Sequence, residues 1–208
     1  MKPDAKLTTG LGVVVAALPV LAPLPASAAQ PRDTPTIEIA TVNGSGCRRE
    51  TVTVTPGPGG FTVHYRDYSA KIGGDALPTD FRKNCQLNLR IIPPEGVTYA
   101  VTYVDHYGSA QLAPDATAAF RASHYYAGLP ARHSGFSSLK GPYSGEWLVF
   151  KEFDPREFIY VPCGEDRNLT LNTELRLTAS ARTKTSTIDM NSDRGSTYLF
   201  AWRTCPPG

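Results

Sequence analysis

The sequence predicts an all-β protein, a two-sheet antiparallel sandwich of jelly-roll-like form, linked by disulfides. Three observations predict it. From Thr36 onward apolar residues recur at every second position, and β-branched and aromatic residues dominate the runs. On the order of eight short runs are separated by Gly, Pro, Ser or Asp clusters, without a convincing helix between them. Four cysteines, an even count, follow what reads as an export signal. Strands with one apolar face must cover one another, so two packed sheets are the economical arrangement.

The first element is that signal. Lys2 and Lys6 form a basic start, Leu11 to Leu21 an apolar run, and Ala26-Ser27-Ala28, after Pro23 and Pro25, a small-residue cleavage site. The run is about 11 residues, short of the roughly 18 that span a bilayer. Residues 1–28 are therefore expected to be removed, leaving 29–208 as a single secreted domain with no membrane anchor, large enough to bury its own core.

The strands follow in order. Val52 and Val54 alternate with Thr51, Thr53 and Thr55; Pro56-Gly57-Pro58-Gly59-Gly60 turns the chain; Phe61, Val63 and Tyr65 alternate on the return. A second hairpin is expected from Cys85, Leu87, Leu89 and Ile91, a turn at Pro93-Pro94-Glu95-Gly96, and Val97, Tyr99, Val101 and Tyr103 sharing one face. Further strands are expected over residues 116–125, 147–153, 158–161, 169–178 and 197–203. Leu169, Leu171, Leu175 and Leu177 make one apolar row, and Tyr198, Phe200 and Trp202 another. Residues 128–145, rich in glycine and proline and weak in periodicity, read as a long loop of the kind that carries function. No internal repeat or low-complexity linker interrupts the chain.

Charge and cysteines narrow the partners. Lys+Arg number 21 and Asp+Glu 19, a formal charge of +2 that falls to about +1 without the signal, with both signs scattered. Nucleic acid is not an expected partner, because a phosphate backbone is met by clustered cations, and pairs such as Arg48-Arg49 and Arg82-Lys83 stand alone. Cys47, Cys85, Cys163 and Cys205 point to disulfides rather than metal, since none lies in a C-x-x-C or has a histidine at ligand spacing. Three connectivities are open. Cys47 with Cys85 and Cys163 with Cys205 is favoured, each staple closing a loop of about 40 residues and stabilising by up to about 4 kcal/mol. A monomer is expected.

Five motifs in order carry a resemblance: Gly44-Ser45-Gly46-Cys47, Asn84-Cys85-Gln86-Leu87-Asn88, Pro162-Cys163-Gly164, Leu171-Asn172 and Trp202-x-x-Cys205. Together they resemble the secreted bacterial and fungal proteins grouped as domain of unknown function 4360. The resemblance covers nearly all of the chain after the signal. It implies export, paired cysteines and a β-rich domain, and it brings no catalytic residues.

His64, His106, His124 and His133 are too far apart in sequence for a close-spaced metal pair, and no metal or other cofactor is expected. His64 falls on the polar face of its strand. Asp105-His106 suggests a triad, yet neighbouring strand residues point to opposite faces. Neither G-x-S-x-G nor H-E-x-x-H occurs. Glu146, Glu152, Asp154, Glu157, Glu165 and Asp166 crowd one region and could supply a glycosidase pair. Asp189-x-Asn191-x-Asp193-x-Gly195 resembles a calcium loop but has Arg194 where glycine belongs, and reads better as a polar turn. Asn43-Gly44-Ser45 and Asn168-Leu169-Thr170 fit the glycosylation pattern.

Tyr107, Tyr125, Tyr126, Tyr143 and Trp147 lie near strand ends or in the expected loop, where exposed rings stack on sugar faces, but tyrosine and tryptophan are equally ordinary sandwich core. The expected function is a non-enzymatic extracellular module that binds a polysaccharide or cell-envelope component. The alternatives are a secreted hydrolase using a carboxylate pair, and a protein-binding or inhibitor domain.

Overall fold

The computed structural model describes residues 34–57, 59–181 and 183–206. The expected export signal, residues 1–28, lies outside them. Twelve strands are present among the described residues: β1 (Thr36–Asn43), β2 (Val52–Gly57), β3 (Gly60–Tyr65), β4 (Ser69–Ile72), β5 (Arg82–Ile92), β6 (Val97–Leu112), β7 (Ala116–Tyr126), β8 (Arg132–Lys140), β9 (Tyr143–Glu152), β10 (Leu169–Ala179), β11 (Ser186–Met190) and β12 (Ser196–Thr204). Helix among the described residues is limited to 3-10 turns at Arg49–Thr51 and Pro155–Glu157. None of the described helices is long and apolar enough to cross a membrane.

The strands form two antiparallel sheets, as the alternation and turn pattern imply. One has five strands in the order β1-β5-β10-β7-β8. The other has seven and is organised around the long β6. β12 pairs with the first part of β6 and β11 with the last part, so these two share one edge of β6, while β9 takes the other edge. β3 and β2 continue outward from β12, and β4 from β11.

The apolar rows of the two sheets face each other. Leu87, Leu89 and Ile91 of β5, Phe120 of β7 and Leu169, Leu171, Leu175 and Leu177 of β10 meet Phe61 and Val63 of β3, Tyr99 and Val104 of β6 and Tyr198 of β12, all buried in one cluster. Each such side chain contributes about 1.5–3 kcal/mol by leaving water, which is what holds the sheets together. Cys47 is bonded to Cys85, with Cα atoms 5.4 Å apart, and Cys163 to Cys205, at 5.8 Å.

Three expectations are corrected. β2 and β3 form the first hairpin, but β5 and β6 are not paired: they lie in different sheets. Both edges of β5 are filled, by β1 and β10, and the two prolines lack the N–H donors that would close a hairpin. Pro93 to Gly96 is thus a crossover. Second, residues 128–145 are not a long loop but mostly the strands β8 and β9. Their glycines answer packing: a Cβ on Gly135 would stand 3.0 Å from His106 and Phe120, and one on Gly141 1.8 Å from the Ala113 carbonyl oxygen. Third, residues 158–161 follow a 3-10 turn and form no strand, though Val161 is buried and its N–H bonds the Tyr99 carbonyl at 3.1 Å.

One irregularity decides which side chains face outward. Leu199 lies opposite Tyr103 and Phe200 opposite Val101, so Thr102 is an extra residue in β6. This bulge reverses the alternation. Tyr99 and Val101 point inward before it; Val104 and His106 point inward after it, and Tyr103, Asp105 and Tyr107 turn outward. Tyr103 therefore does not share a face with Tyr99 and Val101.

Candidate functional site

The tyrosines singled out by position do not converge. Tyr126 is buried, its hydroxyl accepting the Val101 N–H at 3.0 Å. Trp147 is buried against Phe120 and donates from its indole nitrogen to the Ser109 carbonyl at 3.2 Å. Tyr107 lies under the Arg194 guanidinium, 3.8 Å from the ring centre, and the Tyr143 hydroxyl donates to the Glu146 carbonyl. Tyr125 is half-buried on β7.

The other candidates also settle into local roles. Asp105 and His106 point to opposite faces: the Asp105 carboxylate accepts the Thr197 N–H outside, and His106 is sealed inside. There its Nδ1 lies 2.8 Å from the Ser196 hydroxyl, directly across the β6–β12 ladder. A serine beside an imidazole is the start of a hydrolytic site, but both side chains are wholly buried. Burial, with the like charge of His124 beside it, pushes the His106 imidazole down to about 3, which makes it a poor base. His64 is half-buried with Nδ1 3.2 Å from the Ser192 carbonyl.

The crowded carboxylates are mostly spoken for by arginines. Glu146 pairs with Arg194, Asp154 with Arg156, Glu157 with Arg132, Glu165 with Arg167 and Asp166 with Arg90. Glu165 and Asp166 share a recess of about 330 Å³ with Pro93, Tyr99 and Val161. In the calcium-like segment the Asn191 side-chain oxygen accepts the N–H groups of Asp193 and Arg194, while Ser109 donates to Asp189. It is a polar turn. Among the described residues no three His, Cys, Asp or Glu side chains gather as metal ligands. Asn43 is exposed, and the Asn168 amide donates to Asn88.

What the structure does bring together lies at the edge formed by β8 and β9. These consecutive strands separate after Gly141 and Pro142, β8 joining β7 in one sheet and β9 joining β6 in the other. Among the described residues each has an unpaired edge on this side of the sandwich. Between them runs a groove of about 450 Å³ lined by Arg121, His133, Gly135, Phe136, Val149, Phe150 and Lys151. Gly135 is part of its lining, and a Cβ there would crowd His106 and Phe120 at 3.0 Å. Phe136 and Phe150 stand 63% and 61% exposed, so most of each ring is open to solvent.

The surroundings extend this surface in two directions. On the seven-stranded sheet, Tyr103 lies nearly parallel to Phe150 at 6.3 Å, with Leu148 and Leu199 exposed nearby on β9 and β12. On the five-stranded sheet, the Arg121 guanidinium sits 5.8 Å from the Phe136 ring centre. Arg121 and His133 also line a second recess of about 330 Å³ with Arg82, Asn84, Ser123, Asn172 and Glu174. Sequence reasoning missed Phe136 because its strand reads as loop, and Phe150 because an aromatic in a strand reads as core.

Comparison with known proteins gives a family without an activity. An "Uncharacterized secreted protein" of Arthroderma benhamiae is 29% identical over 144 residues, which cover 68% of this chain and 59% of that protein. The chain thus spans less than two thirds of that relative's length. No solved structure matches it significantly. The family model described as "Domain of unknown function (DUF4360)" matches residues 33–205. That match runs from ahead of β1 to the cysteine beyond β12, taking in both sheets and both disulfides, and the chain belongs to the DUF4360 family.

Proposed function

We propose that the protein is an exported, non-enzymatic module that binds a polysaccharide or cell-envelope glycan in the groove between β8 and β9. The observation that carries this reading is the pair of phenylalanines at its mouth, each more than half exposed on neighbouring edge strands. Large apolar side chains held in water at one place mark a contact surface, and an aromatic face suits the C–H face of a sugar ring. Export is supported by the N-terminal pattern of Lys2, Lys6, the apolar run and Ala26-Ser27-Ala28, and by the relative described as secreted. The ion-paired carboxylates and the sealed Ser196–His106 contact favour binding over hydrolysis.

A protein partner is the second reading, favoured by the continuation of the apolar surface through Tyr103, Leu148 and Leu199. Sedimentation with insoluble polysaccharides and cell walls separates the two. The wild type should be retained on at least one polymer, and the double variant F136S/F150S should lose retention while its melting temperature stays near wild type, since exposed substitutions change stability by about 0.5 kcal/mol or less. Equal retention of wild type and variant removes the stacking mechanism, and no retention on any polymer shifts the weight to a protein partner.

A further inference from the structure

We infer that the groove selects an acidic polysaccharide, its carboxylate groups seated by Arg121 and Lys151 beside the two phenylalanine rings. This rests on the glycan reading above and names the class of glycan.

The charge in the groove is one-sided. Arg121, His133 and Lys151 line it, and no acidic residue does. Several other cations have a carboxylate partner: Arg82, Arg90, Arg132, Arg156, Arg167 and Arg194 all sit in ion pairs. Arg121 and Lys151 are in none among the described residues. Two acids on the neighbouring strands are engaged elsewhere. Glu174, opposite Arg121 on β10, is bonded to Arg82 at 2.5 Å, and Asp105, opposite Phe150 on β6, accepts the Thr197 N–H. In a chain of formal charge +2 this local excess is not a by-product of composition.

The chemistry of these groups fits a carboxylate on a ring. A guanidinium presents paired N–H donors that match a carboxylate, and its position over Phe136 limits how far it can swing. A sugar seated on Phe136 or Phe150 would place an acidic substituent within reach of Arg121 or Lys151.

The length of the surface points to a chain rather than a single sugar. The groove and the second recess share Arg121 and His133, so the lining is continuous across β8, β7, β10 and β5. Three inter-strand spacings of about 4.8 Å make it about 14 Å long on the five-stranded sheet alone. Asn84, Ser123 and Asn172 along it offer amide and hydroxyl partners for sugar hydroxyls.

The test compares full-length processed protein binding to polygalacturonate, to the same polymer methyl-esterified, and to a neutral glucan. The inference expects binding to the acidic form about tenfold tighter than to its ester, as a hydrogen-bonded ion pair implies. That preference should weaken as salt rises, and R121Q/K151Q should remove it without altering the melting temperature. F136S/F150S should weaken binding to both forms. Equal affinity for acid and ester, or an unchanged preference in R121Q/K151Q, overturns this inference and leaves the glycan reading standing. Failure to bind any of the polymers removes both. Tighter, arginine-dependent binding of a single-stranded oligonucleotide would also overturn it, by showing a general polyanion surface.

Discussion

His106 carries the clearest consequence of a single side chain. Its ring lies 4.8 Å from Phe120 and 6.0 Å from Tyr198, with no solvent contact, and His124 is buried edge-on to the same Tyr198 at 6.4 Å. Burial pushes His106 to about 3 and, with the charge of Arg132, His124 to about 4, both below the ordinary 6.5. Between those values the unfolded chain binds protons that the folded one refuses, so stability is full above pH 6.5 and falls as pH drops toward 3. Chemical denaturation at pH 7 and at pH 4.5 should show a loss on the order of a few kcal/mol, reduced in H124N if that variant folds. A flat profile across this range would mean that the two rings take up protons in the folded chain as readily as in the unfolded one. The position of His106 was hidden from sequence by one residue. Alternation counted from Val97 places it outside, and only the extra Thr102 turns it in.

At the scale of the strand, the bulge is itself testable. Deleting Thr102 would leave Val101 and Tyr103 consecutive opposite Phe200 and Leu199, a regular ladder that keeps Val104 and His106 inward and Tyr103, Asp105 and Tyr107 outward. The expected outcome is that unfolding followed by circular dichroism stays cooperative, and its loss would mean that the bulge is not centred on Thr102. T102A, which keeps the bulge and removes only the side-chain bond to the Leu199 carbonyl, should cost about 1 kcal/mol or less. The elements easiest to read were those with a full apolar row: β7, β10 and β12 begin and end within a residue or two of where alternation puts them. β8 had no such row. As an edge strand it buries Ser134 alone, and at Gly135 a Cβ would crowd His106 and Phe120 at 3.0 Å. The candidate site was illegible for the same reason, since it is assembled where two edge strands from different sheets meet. Its phenylalanines are 14 residues apart in a chain where aromatics are common, and nothing in their spacing marks them as neighbours across a groove.

For the whole molecule, near-neutral charge conceals a local one-sidedness: the groove is lined by Arg121, His133 and Lys151 and by no acidic residue. The chain also crosses repeatedly between layers. β5 enters the five-stranded sheet, the Pro93 to Gly96 crossover delivers β6 to the other, β7 and β8 return, and β9 leaves again. Most ladders therefore join distant segments, as Ser196 meets His106 from 90 residues away. Contacts of this kind are costly to close before they are rewarded, so refolding from denaturant with disulfides intact should take milliseconds to seconds, and a microsecond phase carrying full amplitude would contradict it. The last described strand, β12, is the one inserted between β3 and β6. Until it arrives, the edges of β3 and of the first part of β6 have no partner, so a chain still being made is open to aggregation until β12 is in place.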